Sequence, residues 1–228
     1  MTSIYFGWLC VLRSKQIEIV MKVNLDINQR IVNHLLLQGS FMDNVGLFHG
    51  KTGVAILFYH YSRYMRNSIY EEFGDELVQQ IYDDIDNQMP INLENGLCGI
   101  AWGLCYLISS DFVEGDPEEV LSQIDEVIME RSPMRVKDSS IRTGLQGIQM
   151  YVRDRIALSI KQETNHPFNP DYLKEMEMAA KKVKLKMPPS PFSEMDFPNK
   201  EEQIEFLNLP LGLDHGCAGA VLHEIMAR

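Results

Sequence analysis

The chain has 228 residues, 45% hydrophobic and 23% charged, which is typical of a globular protein and excludes a collagen-like, mucin-like or wholly disordered chain. Its 21 Lys and Arg against 32 Asp and Glu give a net charge of −11, which argues against a general nucleic-acid binder, because such proteins need a basic surface. The cysteines, together with the lack of a clear secretory leader, indicate free thiols and a cytoplasmic location: Cys10, Cys98, Cys105 and Cys217.

The first twenty residues resemble a signal peptide only faintly, because their charges follow the apolar run and no small-residue cleavage site is present. Met21 opens a stretch that reads as a natural start. We therefore interpret residues 1–23 as an N-terminal extension, either disordered or not native, ahead of a domain over residues 24–228. The longest apolar stretch, Ile100–Ile108, is far shorter than the roughly 20 residues that cross a bilayer, so no membrane span is expected.

Two acidic segments predict amphipathic helices. Between Asn67 and Glu130 there are 16 Asp and Glu and no Lys or Arg, so the rest of the chain carries a net charge of +5. Within this stretch, residues 71–86 and 116–130 repeat apolar side chains at helical spacing, which places their carboxylates on the opposite, solvent-facing side. Asp116 followed by Pro117 predicts the start of the second helix.

Four segments share one pattern, a polar residue, Gly, two variable residues, Gly, and then an apolar run. The first glycine of each is Gly50, Gly96, Gly144 and Gly216, with gaps of 46, 48 and 72 residues. The longest gap contains a Pro-rich loop insertion near residues 187–200. Such a period is typical of a helical repeat protein.

The repeat predicts an all-α architecture of helical hairpins. The apolar helices that follow the motifs are expected to lie inside, at 54–64, 100–108, 148–160 and 220–226, with amphipathic helices covering them. We expect the first glycine of each motif to adopt a positive φ and the second to let neighbouring inner helices approach closely. The predicted fold is an α/α toroid-type repeat forming a partial ring of about four inner helices.

Gly-Leu-x-His-Gly-x-x-Gly, which occurs at residues 46–53 and 212–219, resembles the repeated turn of the lanthionine synthetase C-like (LanC-like) family, and the resemblance runs from about Asn24 onward. It implies a toroid of seven helical hairpins. In the enzymes of that family, two cysteines and one histidine bind zinc at the central cavity. The zinc activates a peptide thiolate, which adds to a dehydrated residue and closes a thioether ring.

The sequence departs from that family's zinc motifs. Its metal ligands stand in Trp-Cys-x-Gly and Cys-His-Gly turns, neither of which occurs here, and Asp214 stands where the second has its cysteine. The repeats that would carry zinc are expected beyond Arg228. Zinc is therefore only a possibility that the resemblance allows, with a cluster of Cys98, Cys217 and either His49 or His215 as its conceivable ligands, and we assign no metal ligand.

Candidate site residues follow from the turns and the acidic helices. The resemblance gives a histidine of the His-Gly turn an acid/base role, which makes His215, His49 and Asp214 catalytic candidates. A histidine beside a turn glycine can equally serve only to hydrogen-bond a neighbouring carbonyl. The candidate binding residues are the four first glycines, Gly50, Gly96, Gly144 and Gly216, together with Asn95, Glu118 and Glu119.

Three functions from different classes remain open. The first is a LanC-like protein of peptide modification, a degenerate or partial enzyme of thioether cyclisation. The second is a non-catalytic scaffold that binds a peptide or a maturation enzyme through its concave face and acidic helices, with anions at the inner-helix N-termini. The third is an α/α-barrel carbohydrate enzyme, which needs paired carboxylates, here Asp214 and Glu94. The basic run at residues 181–186 could also pair with the acidic face of a second copy, giving a homo-oligomer.

Overall fold

The structure, a computed structural model, describes residues 26–183 and 190–227, so the predicted extension at 1–23 and the start of the predicted insertion lie outside the described residues. The described parts contain no strand, which confirms the predicted all-α fold. None of their helices is both long and apolar enough to cross a membrane. The α-helices are α1 Ile27–Gln38, α2 Lys51–Met65, α3 Ile69–Asp84, α4 Leu97–Ser109, α5 Pro117–Met129, α6 Leu145–Lys161, α7 Pro170–Val183, α8 Lys200–Ile204 and α9 Cys217–Met226.

The four predicted inner helices are α2, α4, α6 and α9. Each begins directly after the first glycine of its motif, three residues earlier than expected, so the second glycine lies in the first helical turn. Nearly every side chain of α4 is buried, because that helix is apolar on all sides and lies between α2 and α6. The inner helices therefore form the core of the fold.

The predicted acidic helices are α3 and α5, and Asp116 caps α5 by accepting a hydrogen bond from the Glu118 N–H. The expectation that their carboxylates all face solvent is wrong. Asp125 is buried and accepts hydrogen bonds from Tyr151 and Arg155 of inner helix α6. Buried charges need such partners, since an unpaired one would carry a large desolvation cost. Part of the acidic charge thus links outer helices to inner ones.

The expectation of a positive φ at the first glycines is also wrong. Gly96, for example, has φ −113° and ψ −172°, and no described glycine has a positive φ. Close approach explains the glycines instead. A Cβ on Gly96 would collide with the carbonyl oxygen of Pro90, and one on Gly99 with that of Leu93. Both motif glycines therefore make room for the loop that folds over the helix start.

The fourth hairpin packs against the first, because α9 contacts both α1 and α2. The contacts between inner helices therefore run from α9 to α2, from α2 to α4 and from α4 to α6. In space the repeats follow the order fourth, first, second, third. The first and fourth motifs, 166 residues apart in the sequence, are thus direct neighbours.

Residues 190–199, which we call the crossing segment, lie over the inner helices. Their Phe192 ring makes edge contacts with Trp102 and Tyr106 of α4, with ring centres 5.5 Å apart in both cases. Further along, Phe197 stacks on His223 of α9. This part of the predicted loop insertion therefore contributes apolar side chains to the packing between the second and fourth hairpins.

Candidate functional site at the converging turns

The turns that precede the four inner helices converge at one end of the ring. Backbone hydrogen bonds join them side by side: the Phe48 N–H donates to the Glu94 carbonyl, the Glu94 N–H to the Arg142 carbonyl, and the Asp214 N–H to the Phe48 carbonyl, over 2.9–3.0 Å. Each of these residues holds the same position in its motif, two before the first glycine. The repeat thereby brings four equivalent side chains together: Phe48, Glu94, Arg142 and Asp214.

Arg142 is the centre of this group. Its guanidinium donates to both carboxylate oxygens of Asp214, at 2.7 and 3.0 Å, and to Glu94 Oε1 at 3.2 Å. The same group lies over the Phe48 ring, with Cζ 4.8 Å from the ring centre, and donates to the Glu194 carbonyl of the crossing segment at 2.8 Å. A planar guanidinium suits this arrangement, since it offers five donors and a stacking face.

The electrostatics stabilise Asp214 as a carboxylate. Burial alone would raise the pKa of this group, but the hydrogen bonds from Arg142 and from the Asp196 N–H, and the charge of Arg142, outweigh burial and lower it. The pKa of Arg142 is raised, chiefly by the hydrogen bond to Asp214. The pair is therefore fully ionised near neutral pH.

His49 is the predicted site residue that joins this cluster. Its Nε2 lies 3.1 Å from Glu94 Oε1 and 3.8 Å from Asp214 Oδ2, and its side chain is 35% exposed. Two carboxylates beside one imidazole can fix the orientation of the ring. Two of the three catalytic candidates, His49 and Asp214, are thus brought together, and His49 remains open to solvent.

His215, the third candidate, takes a different environment. Its φ is 47°, a left-handed conformation that costs a non-glycine residue about 1–3 kcal/mol. The N–H of His215 donates to the Asp196 carbonyl, and its Nε2 lies 3.8 Å from Glu202. The ion pairs that join His49, Glu94, Arg142 and Asp214 do not include His215.

The predicted anion sites at the inner-helix N-termini are already occupied by the protein's own carbonyls. The first N–H of each helix donates to a carbonyl seven residues earlier, for example Leu97 to Pro90 and Cys217 to Pro210, both at 2.8 Å. These N–H groups are therefore not free to bind an anion. The four first glycines shape the turns, while Asn95 accepts a hydrogen bond from Asn44 of the first turn.

The two acidic candidates on α5 differ from one another. Glu118 accepts a hydrogen bond from Arg155, which is fully buried, at 3.0 Å. Glu119 is exposed and lies near Tyr82 of α3, whose pKa is raised to about 12 by burial and, in second place, by the charge of Glu119. Glu119 therefore belongs to an acidic outer surface that α3 and α5 share, whereas Glu118 mainly balances a buried cation.

The described thiols do not fit a zinc site. Cys98, Cys105 and Cys217 are buried, and burial raises the pKa of all three, to about 12 for Cys105 and about 11 for Cys217. Zinc needs thiolates grouped with imidazole nitrogens. No group of three or more His, Cys, Asp and Glu side chains in the described ranges has an arrangement that could hold a metal ion.

The carbohydrate-enzyme hypothesis is also poorly matched. Glu94 and Asp214 do lie close together, but both bind the same nitrogen, Arg142 Nη1. A glycosidase needs one carboxyl that stays protonated at working pH, which requires a raised pKa. Asp214, whose pKa is lowered, does not suit the role of that protonated acid, and Glu94 Oε1 is engaged by both Arg142 and His49.

Sequence reasoning did not identify Arg142, the residue that binds the cluster together. The signal was present, because the position two before the first glycine reads Phe, Glu, Arg and Asp in the four motifs. Two acids and one base in equivalent positions of a ring indicate an ion pair. The glycines and histidines at the neighbouring positions form the more regular pattern in the sequence.

The comparison with protein families agrees with the geometry. Residues 41–227 match the family described as lanthionine synthetase C-like protein, a range that covers all four motifs. No curated protein matches the sequence. The match includes the turns that form the ion-paired cluster as well as the inner helices. The chain therefore belongs to the lanthionine synthetase C-like family.

Proposed function

We propose that this LanC-like protein serves peptide modification as a binding protein, for a precursor peptide or a partner maturation enzyme, rather than as a zinc-dependent cyclase by itself. One observation carries the proposal. The position where the four turns converge is filled by an ionised cluster with internal partners, and the described thiols are buried and take no part in its ion pairs. This cluster holds the turns in place and leaves His49 partly exposed at its edge.

Binding would use two surfaces. The first is the face of the converging turns, where His49 and its two neighbouring carboxylates are partly exposed. The second is the acidic outer surface of α3 and α5, which includes Glu119 and suits a basic segment of a partner. Charge of this kind mainly accelerates association and selects the partner, so binding through it should weaken as salt rises.

The test uses the full chain and a synthetic peptide that carries one cysteine, one dehydroalanine and a basic leader. We expect saturable binding by fluorescence anisotropy, and no increase in thioether formation over the uncatalysed rate by mass spectrometry, with or without added zinc. Glu119→Gln should weaken binding more than the matched change Glu201→Gln on α8. Accelerated cyclisation, or no saturable binding, would contradict the proposal.

A second candidate function is proton transfer by His49, and its contact with two carboxylates favours it. When a peptide thiolate adds to a dehydroalanine, the electron pair moves to the α-carbon, which must take up a proton. A protonated His49 could donate that proton and regain one from solvent. If so, the rate of thioether formation should be higher with the protein than without it, and His49→Gln should abolish the difference.

A further inference from the structure

The crossing segment, residues 190–199, lies on the inner helices in the manner of a bound peptide. It belongs to the longest gap between motifs, 72 residues against 46 and 48, so it is additional to the repeat itself. The segment forms one 3₁₀ turn, Pro191–Glu194, and continues in extended backbone at Met195. Two aromatic rings and three main-chain hydrogen bonds between them attach it to the helices and turns below.

The first ring lies against an aromatic wall on α4. Trp102 and Tyr106 stack with ring centres 5.3 Å apart, and the Phe192 ring is nearly perpendicular to both, at 82° and 83°. Trp102 Nε1 donates to Asp154 of α6 at 2.7 Å, and the Tyr106 hydroxyl lies 2.7 Å from His60 Nε2 of α2. Partners on two neighbouring helices therefore hold the wall in place, whichever ring lies against it.

The wall extends beyond its contact with Phe192. Trp102 and Tyr106 also line a cavity of about 220 Å³ between α4 and α6. The charged groups at the edge of this cavity are already engaged, Asp154 by Trp102 and Lys161 by Asp111. An apolar cavity of about 150 Å³ is enough for a benzene ring. The crossing segment therefore leaves room along the wall for a further apolar side chain.

Between its two rings the segment is bound through its main chain. Arg142 donates to the Glu194 carbonyl at 2.8 Å, and Asp214 accepts from the Asp196 N–H at 2.9 Å. The Asp196 carbonyl accepts from the His215 N–H at 2.7 Å. The side chains of Glu194 and Asp196 are exposed. Main-chain groups are common to all peptides, so these hydrogen bonds do not require this particular sequence.

The second ring, Phe197, lies five residues after Phe192. It stacks on His223 of α9, with ring centres 4.6 Å apart and an angle of 11° between the rings. The segment therefore runs from the second hairpin to the fourth and passes over the ion-paired cluster of the converging turns. The contacts follow the order of a ring, then main-chain hydrogen bonds, then a second ring.

We propose that this face is a peptide-binding groove and that the crossing segment occupies it as an internal ligand. The external ligand is a peptide with two aromatic residues five positions apart, whose rings replace Phe192 and Phe197 and whose main chain pairs with Arg142 and Asp214. The inference rests on the proposed function, because it takes the face of the converging turns as a binding face. It adds what that face recognises and what covers it.

The experiment measures, by fluorescence anisotropy, how a labelled peptide with the sequence of residues 190–199 binds to the full chain. A tethered segment has an effective concentration on the order of millimolar, so wild type should bind this peptide weakly. Phe192→Ala should bind it at least about tenfold more tightly, because the change removes two aromatic pairs from the internal ligand only. A peptide with Ala in place of both Phe residues should not bind.

Ile204→Ala is the matched control. It removes an apolar side chain that is 67% exposed on α8, directly after the segment, and it should bind the peptide as wild type does. Thermal melts check that each variant folds. Wild type of equal affinity to Phe192→Ala, no binding to either, or binding of the Ala-substituted peptide would overturn the inference.

A second measurement needs no variant. In isotopically labelled wild type followed by NMR, several millimolar of unlabelled peptide should displace the segment and accelerate hydrogen exchange of the Asp196 N–H, which Asp214 otherwise protects. An unchanged exchange rate would mean that the segment is a permanent part of the core, and would equally overturn the inference.

Failure of this inference and failure of the proposed function give different results. If the dehydroalanine peptide with the basic leader binds wild type, but Phe192→Ala gains no affinity for the 190–199 peptide, the proposed function stands and the internal ligand is wrong. If the dehydroalanine peptide does not bind, but Phe192→Ala gains its tenfold, the groove stands and its link to peptide modification is wrong.

Discussion

Arg142 and Asp214 lie 72 residues apart in the sequence and form a two-point ion pair between the third and fourth turns. Asp214 is only 11% exposed in its side chain. In the neighbour order fourth, first, second, third, this pair connects the two ends of the series. The cluster therefore stabilises the tertiary structure by linking these two turns, and it is also a candidate site.

The first prediction concerns the ion pair between Arg142 and Asp214. Arg142→Gln should lower the free energy of unfolding by about 2 kcal/mol, because it leaves the mostly buried Asp214 carboxylate without its cation. Asp214→Asn should cost a similar amount, and the double variant less than the sum of the two. Urea unfolding at pH 7 measures all three.

The matched control for the ion-pair variants is Lys161→Gln. Lys161 pairs with Asp111, but their side chains are 51% and 83% exposed, so the change should stay within about 0.5 kcal/mol. If Arg142→Gln costs no more than Lys161→Gln, the ion pair between the turns does not stabilise the ring.

The second prediction separates Glu118 from Glu119. Glu118→Gln should lower the free energy of unfolding by about 1 kcal/mol, because Arg155 is fully buried and Glu118, although 42% exposed, is one of its two acidic partners. Glu119→Gln should change stability by less than about 0.5 kcal/mol, since the residue is exposed. Equal losses from two adjacent residues in guanidinium unfolding would contradict this assignment.

The regular parts of the fold could be predicted from the sequence. The phase of the glycine motifs locates the four inner helices, and the helical spacing of Leu77 and Ile81 or of Ile124 and Ile128 locates the buried sides of α3 and α5. Both signals are local, since each depends on how glycines or apolar side chains are spaced along a short stretch of the chain. The family resemblance, which the match over residues 41–227 confirms, depends on the same motifs.

The site was harder to predict, because it depends on which repeats become neighbours. Chain order suggests that the fourth turn follows the third, but α9 packs on α1 and α2, which brings Asp214 beside His49. Asp125 is a similar case. In the sequence it is one more carboxylate of an acidic helix, and only the folded structure shows its hydrogen bonds with Arg155 and Tyr151. Long-range pairing of this kind has no local signature in a single sequence.

The third prediction tests close approach at the motif glycines. Ala normally stabilises a helix relative to Gly by about 1 kcal/mol. At Gly99 the opposite is expected, a loss of about 2–3 kcal/mol, because the new Cβ would collide with the Leu93 carbonyl oxygen in the folded-over loop. Thermal unfolding followed by circular dichroism gives the sign directly.

Gly115→Ala is the control for that change. A Cβ at Gly115 would meet only Val120 Cγ2, at 3.8 Å, which is ordinary van der Waals contact. The variant should be neutral or slightly more stable, since Ala restricts the unfolded chain. A Gly99→Ala variant as stable as Gly115→Ala would show that the loop can move away from the helix at little cost.

The fourth prediction concerns acid sensitivity. His60 Nε2 lies 2.7 Å from the Tyr106 hydroxyl, and burial, followed by the charge of Arg63, lowers the pKa of His60 to about 4. In the unfolded chain this histidine takes up a proton near pH 6.5, whereas the folded protein resists it until about pH 4. The unfolded state therefore binds more protons in this window, and stability must fall as the pH is lowered through it, by on the order of 2 kcal/mol after allowance for partial exposure.

His60→Gln isolates that contribution, because an amide can still hydrogen-bond Tyr106 but does not titrate. Asp125 acts in the opposite direction, since burial raises its pKa to about 6 against the hydrogen bonds from Tyr151 and Arg155, so the folded state takes up its proton first as the pH falls. Asp125 is present in both proteins and cancels in their difference. The free energy of unfolding of wild type should therefore fall relative to that of His60→Gln as the pH is lowered from 6.5 to 4. If urea titrations show the same difference between the two proteins across this range, His60 titrates alike in the folded and unfolded states.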